Sequence, residues 1–354
     1  FSEFEEYFSD RFGQRTFFIK LKEKLFSLNR VSSVNSADGK IYGIDDDWYF
    51  VDGFLKLRFD ENLLSHEARN LKLLADHYKC PVFVAIYPFK ANIYPEAIAG
   101  IYKTPQRVLV NEGKKISEYL TNTDSNIFAI DLTDNLMQKK ISDPEGLLYY
   151  KDDHHQTEYG AFVAASTIVN SIVEKYEPGI SQNKLSEPEF DLHKGYMDIY
   201  GVDHNFLRGV SYLRQGMRTH SEFYALKHLY KNLSITKNYS EHITHEILRT
   251  RMHKFVNTAP VLNRNFLVLG NSYVANTARM MAYFGKVTYQ YNFMAGVYLE
   301  EPLFKIDEVI SKGDHIDYIV VSYFTNTVMS KIRFPQKKKP GVLPSHTGRL
   351  TDEK

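Results

Sequence analysis

Short apolar runs rich in β-branched and aromatic residues alternate with helix-like patterns along most of this sequence. The candidate strands are FVAIY (83–87), FAID (128–131), FLVLG (266–270), KVTYQY (286–291) and YIVVSY (318–323). Apolar residues at helical spacing predict helices near 63–78, 106–122, 157–176, 272–284 and 303–312. This alternation favours parallel strands joined by crossover helices, and therefore a three-layer α/β fold with helices on both faces of the sheet.

Four stretches depart from this alternation. The first 28 residues predict one or two amphipathic helices, and residues 41–55 predict a short β-hairpin or ribbon. Residues 180–262 are rich in His, Asn, Tyr and Lys with a patchy helical signal, which indicates an insertion or cap within a main domain spanning residues 1–335. The last residues, 336–354, are expected to form a flexible basic tail.

Charge and cysteine content exclude several classes of function. Lys and Arg total 44 against 43 Asp and Glu, so the net charge gives no reason to expect a nucleic-acid partner. Cys80 is the single cysteine, which excludes an internal disulfide and a zinc-thiolate cluster. No apolar run reaches the length of a membrane span, which is about 18 residues or more. The sequence begins at Phe1 rather than Met, so a signal peptide or anchor helix is expected upstream.

A serine follows the strand FLVLG at a predicted strand-to-helix turn. The strand leads into Asn271, Ser272 and Tyr273, and then into the helical pattern VANTARMMAYF. Such a turn lies at the carboxyl end of a parallel strand, where open α/β sheets bind ligands, and the N–H groups that start the helix are suited to stabilise an oxyanion. An ordinary helix cap is the alternative, and Val274 replaces the second glycine of the G-x-S-x-G elbow. The serine alone therefore does not establish catalysis.

A second polar cluster lies in LLYYKDDHHQTEYGAF at 147–162. Side chains at i and i+2 of an extended segment face the same way, so Asp153 and His155 can point into one cleft, where the acid would orient an imidazole that accepts a serine proton. Asp152 with His154, and Asp152 with His155, satisfy the spacing equally well. Helix-capping acids and a metal site are further alternatives. The residues alone leave this choice open.

Five motifs in order resemble the SGNH-like group of alginate O-acetyltransferases and DHHW proteins. The segment YYKDDHHQTEYGAF resembles that group's Asp-His-His-Trp signature, and FLVLGNSY resembles its apolar strand followed by Gly-x-Ser-[Phe/Tyr]. Three looser matches support them: FEEYFSDRFGQR (4–15), DDDWYF (45–50) and VAIYPFKANIYPEAI (84–98). The resemblance implies an SGNH-hydrolase-like, flavodoxin-like parallel sheet in which the acid and base precede the serine in the chain, a permuted order.

The resemblance also assigns roles to residues. It implies Ser272 as nucleophile, His155 as base and Asp153 as orienting acid. Candidate oxyanion or substrate-binding residues are Asn271, Tyr273, Asn292, Asn326, Lys90 and Gln156. Two positions depart from the group: Gln156 replaces its usual Trp beside the base, and Asn271 replaces an Asp or Thr before the serine.

The expected activity is transfer of acetyl onto hydroxyls of an extracellular or cell-wall polysaccharide through an acetyl-serine, with no cofactor and no metal. A carbohydrate acetylesterase is the alternative enzyme, and a catalytically weak polysaccharide-binding or assembly protein is the alternative outside catalysis. The resemblance further implies a membrane-bound acyltransferase as the source of acetyl. It places the protein in the periplasm or on the extracellular face of the membrane.

Overall fold

A seven-stranded mixed sheet forms the centre of the molecule. The computed structural model describes the following residues: 31–36, 39–44, 48–51, 56–57, 59–98, 110–144, 146–150, 155–180, 190–197, 228–235, 243–249, 252–270, 273–292, 307, 310 and 314–323. Within them the strands are β1 Val31–Ser36, β2 Gly39–Ile44, β3 Trp48–Val51, β4 Lys56–Leu57, β5 Val82–Ile86, β6 Val110–Asn111, β7 Ile127–Asp131, β8 Phe190–Met197, β9 His228–Ile235, β10 Ile243–Arg249, β11 Met252–Asn257, β12 Leu262–Gly270, β13 Gly285–Asn292 and β14 Tyr318–Tyr323. The helices are α1 Glu61–Tyr78, α2 Lys90–Ile93, α3 Pro95–Ile98, α4 Gly113–Thr121, α5 Thr133–Ser142, α6 Glu158–Tyr176 and α7 Val274–Phe284.

The strand order of the main sheet is β10-β11-β13-β12-β14-β5-β7. The five strands from β13 to β7 are parallel, whereas β11 runs antiparallel to β13 and β10 antiparallel to β11. The connection from β12 to β13 runs toward one edge of the sheet, and the connection from β5 to β7 runs toward the other edge. Because crossovers are right-handed, α7 and α4 lie on opposite faces of the sheet. The three-layer α/β expectation is confirmed, with an antiparallel extension at one edge.

The core sits in the parallel half of the sheet. All five residues of β5 are fully buried, as is the segment Phe266–Val268 of β12. Strands covered by helices on both faces are expected to be continuously apolar in this way. All five strands predicted from apolar runs are present in the structure, with bounds that differ by a few residues.

Within residues 180–262, whose sequence carries a patchy helical signal, residues 243–249 and 252–257 form strands instead. They form the hairpin β10–β11, and this hairpin extends the main sheet beyond β13. Thr244, His245 and Glu246 are all exposed, so three successive polar residues interrupt the apolar pattern of this edge strand. The strands β8 and β9 pair with each other in a separate two-stranded sheet, also within the stretch interpreted as an insertion or cap.

Other expectations divide between confirmed and untested. The ribbon predicted at 41–55 is found as the antiparallel sheet β1-β2-β3. Helix α5 was not predicted, because Leu136 is its one buried residue and polar side chains dominate its sequence. The N-terminal helices and the tail at 336–354 lie outside the described residues. None of the helices that the structure describes is long and apolar enough to cross a membrane.

Candidate active site

The middle strand β12 ends at the point of the sheet where the direction of the strand connections changes. Strands β13 and β14 flank it on either side, and the chain passes from one to the other. Gly270, the last residue of β12, pairs with Asn292 of β13 and with Ser322 of β14. Helix α7 begins four residues later, at Val274. This is the carboxyl-end crevice where open α/β sheets bind ligands.

Gly270 permits the close approach of β14 and α7. A Cβ atom at this position would lie 2.7 Å from the Ser322 Cβ, 3.0 Å from the Ser322 carbonyl oxygen and 3.3 Å from the Val274 Cβ. The first distance is shorter than two carbon atoms tolerate, and strand backbone cannot rotate out of the way as a side chain can. The glycine is therefore required for the turn that leads from β12 into α7.

We expect Gly270→Ala to destabilise the protein by about 1–3 kcal/mol, as overpacking of a core typically does. The measurement is urea unfolding followed by circular dichroism. Gly179→Ala is the matched control, because no atom lies within 4 Å of a Cβ built there. Equal midpoints for the two variants would contradict the requirement for glycine at the turn.

The histidine segment, residues 147–162, is held by a short stretch of backbone pairing between residues 148–150 and 155–157. Tyr149 and Gln156 form an isolated antiparallel bridge. The Tyr150 N–H donates to the His155 carbonyl at 3.1 Å, and the Thr157 N–H donates to the Leu148 carbonyl at 3.0 Å. These contacts fix the backbone on both sides of Gln156 immediately before α6.

Thr157 then starts α6 as its N-cap. Its hydroxyl accepts from the Gly160 N–H at 3.1 Å and donates to the Leu147 carbonyl. A Cβ at Gly160 would lie 2.1 Å from the Leu148 carbonyl oxygen, so the Gly-Ala of this motif lets the helix start directly against the bridge. The bridge and the helix cap together therefore fix the backbone next to His155.

The His155 ring lies against Tyr273, the residue bonded to Ser272. The two ring centroids are 5.1 Å apart with an interplanar angle of 39°. Tyr273 is 2% exposed and occupies the N-cap position of α7, where its side chain makes no capping hydrogen bond. The structure thus brings the proposed base to the turn that carries the proposed nucleophile. Asp153, Asn271, Ser272 and Asn326 lie outside the described residues, so their roles stay predictions.

Two successive buried hydrogen bonds connect the Tyr273 backbone to Thr277 and Tyr87. The Thr277 hydroxyl donates to the Tyr273 carbonyl at 3.0 Å, and the oxygens of Tyr87 and Thr277 are 2.7 Å apart. A hydroxyl has one proton, so Tyr87 is the donor to Thr277. Burial raises the pKa of Tyr87 far above its usual range, and this keeps the donating phenol protonated. Sequence reasoning missed these two hydrogen bonds, because a tyrosine at a strand end and a threonine inside a helix carry no distinctive signal.

Gln156 belongs to the same buried region. Its side chain is 1% exposed, and neither amide atom forms a direct hydrogen bond within the described part of the chain. It nevertheless lies close enough to the hydroxyls of Tyr87 and Tyr149 to lower their pKa values against the larger effect of burial. The Tyr149 hydroxyl donates to the Pro88 carbonyl at 2.6 Å. Position 156 therefore faces the interior, and this placement favours a supporting contact over the expected oxyanion or substrate contact.

Two further predicted residues are placed by the structure. The Lys90 ammonium donates to the Tyr150 carbonyl at 3.1 Å and lies 4.8 Å from the centroid of the Phe50 ring. At 4% exposure, Lys90 buttresses the bridge that carries His155. Asn292 ends β13 in register with Gly270, and its Oδ1 is buried without a hydrogen-bond partner among the described residues. Asn292 therefore lies beside the end of β12, the strand that precedes Ser272.

Comparison with known proteins identifies the relatives of this chain. A protein-family model described as an SGNH hydrolase-like domain of the acetyltransferase AlgX matches residues 43–197. No curated protein sequence matches significantly. Bacillus cereus PatB1, solved with a sulfonyl adduct, has a TM-score of 0.50 at 14% identity, covering 84% of this chain and 96% of that chain.

Two more solved structures are similar at lower scores. A DHHW family protein from Eubacterium siraeum has a TM-score of 0.48 at 13% identity, covering 84% of this chain and 94% of its own. The O-acetyltransferase domain of Pseudomonas putida AlgJ has a TM-score of 0.41 at 17% identity, covering 86% and 94%. At these identities the structural likeness concerns the fold alone, and PatB1 carries that argument. The resemblance drawn from the sequence motifs is confirmed by this match: residues 43–197 are similar to the SGNH hydrolase-like domain of the acetyltransferase AlgX.

Proposed function

We propose that this protein is an O-acetyltransferase that moves acetyl groups onto polysaccharide hydroxyls through an acetyl-Ser272 intermediate. The observation that carries the proposal is the contact between His155 and Tyr273, because it joins the histidine segment to the residue bonded to Ser272. The fold brings these two motifs together at the carboxyl end of the middle strand β12. The AlgX family description names the same reaction class.

The proposed chemistry has two balanced steps. His155 takes the Ser272 proton as the serine oxygen attacks the acetyl carbonyl, and the donor's leaving oxygen departs with that proton. A sugar hydroxyl then attacks the acetyl-serine while His155 removes its proton, and the proton returns to Ser272 as the ester bond to the enzyme breaks. Asp153 orients the imidazole. The Ser272 N–H, with Asn292 or Asn326, stabilises the oxyanion in both steps.

The proposal extends to partner and place. The acceptor is a polysaccharide, as the resemblance of the sequence motifs to the alginate O-acetyltransferases implies. A membrane-bound acyltransferase supplies acetyl, and the site works in the periplasm or on the extracellular face of the membrane. The net charge of the protein is +1, so the protein as a whole does not repel an anionic acceptor.

Transfer and hydrolysis share the first step and separate in the second. We expect the protein to release p-nitrophenol from p-nitrophenyl acetate and, when an oligouronate is present, to yield acetylated sugar detectable by mass spectrometry. Ser272→Ala should yield neither product. Free acetate with no acetylated sugar across neutral and acidic oligosaccharides would favour the acetylesterase, and no release at all would favour the binding protein.

A further inference from the structure

Helix α7 and the histidine segment are joined along one seam by three contacts. The Tyr273 ring meets the His155 ring, the Asn276 side chain meets Gln156, and Arg279 meets Glu158. Tyr273, Asn276 and Arg279 follow one another at a spacing of three residues, which places them on one face of a helix. The seam thus runs from the nucleophile turn along α7 while it follows the start of α6.

The middle contact differs from the other two because it holds the backbone. The Asn276 Nδ2 donates to the Gln156 carbonyl oxygen at 3.2 Å across 120 positions of sequence. The Arg279–Glu158 ion pair is 2.7 Å long but joins two side chains, of which Arg279 is 42% exposed. An exposed ion pair constrains geometry weakly, since solvent screens it and both side chains must be ordered to form it.

The local backbone leaves the Gln156 carbonyl available for this bond. The bridge to residues 148–150 uses the His155 carbonyl and the Thr157 N–H. The ladder of α6 begins with the Ala161 N–H donating to the Thr157 carbonyl. Neither pattern engages the Gln156 carbonyl, and a buried carbonyl without a donor is costly. Asn276 supplies the donor from the helix that follows Ser272.

We propose that Asn276 is a positioning residue of the acyl-transfer site, which sets the distance between Ser272 and His155. It lies four residues after the nucleophile, and it bonds the residue that follows the base. This hydrogen bond therefore ties the start of the nucleophile helix to the backbone of Gln156, the residue after the base. This inference rests on the proposed function, because the distance that it sets matters only when His155 takes a proton from Ser272.

Such a bond acts on the chemical step rather than on substrate binding. A base displaced from its nucleophile by about 1 Å can lose as much as about a hundredfold in rate. Asn276 forms an internal contact between two elements of the fold, so the loss should appear in kcat with KM retained. The same loss should appear in the rate at which a sulfonyl fluoride labels Ser272, because labelling also needs the activated serine but no acceptor.

The test compares Asn276→Asp and Asn276→Leu with Arg279→Met. The first keeps the shape of the side chain without an N–H donor, the second removes polarity altogether, and the control breaks the neighbouring ion pair of the same seam. For each Asn276 variant we expect kcat for p-nitrophenyl acetate and the rate of labelling by phenylmethanesulfonyl fluoride to fall together by about tenfold, with KM changed less than about twofold. Arg279→Met should keep both rates.

Thermal melting of the three variants separates positioning from stability. An Asn276 variant that melts no lower than Arg279→Met yet loses the two rates supports the inference. Equal rates in both Asn276 variants and the control, with Ser272→Ala inactive, would overturn it and leave the proposed function standing. Wild-type rates in Ser272→Ala would overturn both.

Discussion

Replacing Ser272 by alanine is expected to lower kcat for p-nitrophenyl acetate by at least about 10³-fold. The alanine lacks the oxygen that forms the acetyl-enzyme, so only transition-state binding by the rest of the site would remain. The fold should tolerate the change, because it removes one atom at the turn between β12 and α7. The measurement is steady-state release of p-nitrophenol, with a circular dichroism spectrum to establish folding.

Ser117→Ala is the matched control for this experiment. Ser117 lies on α4, and its hydroxyl donates to the Lys114 carbonyl at 2.9 Å within the same helix. The opposite crossover direction places α4 on the other face of the sheet from α7. Mapping of a phenylmethanesulfonyl adduct by peptide mass spectrometry gives an independent readout. A label on another side chain, or unchanged turnover in Ser272→Ala, would show that the nucleophile had been assigned wrongly.

The parallel half of the fold could be predicted because burial leaves a plain signal there. All five residues of β5 and the segment Tyr318–Val321 of β14 are buried and apolar. The edge hairpin β10–β11 could not be predicted in the same way. Strand β10 exposes Thr244, His245 and Glu246 in succession, so neither period-two alternation nor a continuous apolar run appears there.

The candidate site could also be predicted only in part from the sequence. Local spacing singled out the Asp-His segment and the serine turn, and the family motifs chose between equivalent pairs. The contacts that join the two segments arise from the fold alone. Asn276 and Gln156 are 120 positions apart, and nothing in the string VANTARMMAYF distinguishes an asparagine that bonds a distant carbonyl from one that faces solvent. The interior placement of Gln156 could not be predicted either, because its neighbour Tyr87 comes from a distant part of the chain, directly after the end of β5.

The choice between adjacent histidines gives the second large effect. His155→Ala is expected to lower kcat by about 10²–10⁴-fold, the usual contribution of a general base. His155 is the ring in contact with Tyr273, and the bridge from Tyr150 to the His155 carbonyl fixes its backbone. His154→Ala is the closest possible control, since it removes the same side chain one position earlier, and we expect its kcat to stay near that of the wild type.

Added imidazole distinguishes a lost base from a disturbed fold. Free imidazole can enter the space left by the truncated side chain and accept the serine proton, so it should restore part of the activity of His155→Ala in proportion to its concentration. Asp153→Asn should then slow turnover while Asp152→Asn does not, because the proposed acid orients the ring of His155 two residues later. Loss and rescue in His154→Ala instead would move the base by one residue and assign Asp152 as its partner. The contact between His155 and Tyr273 would then serve packing alone.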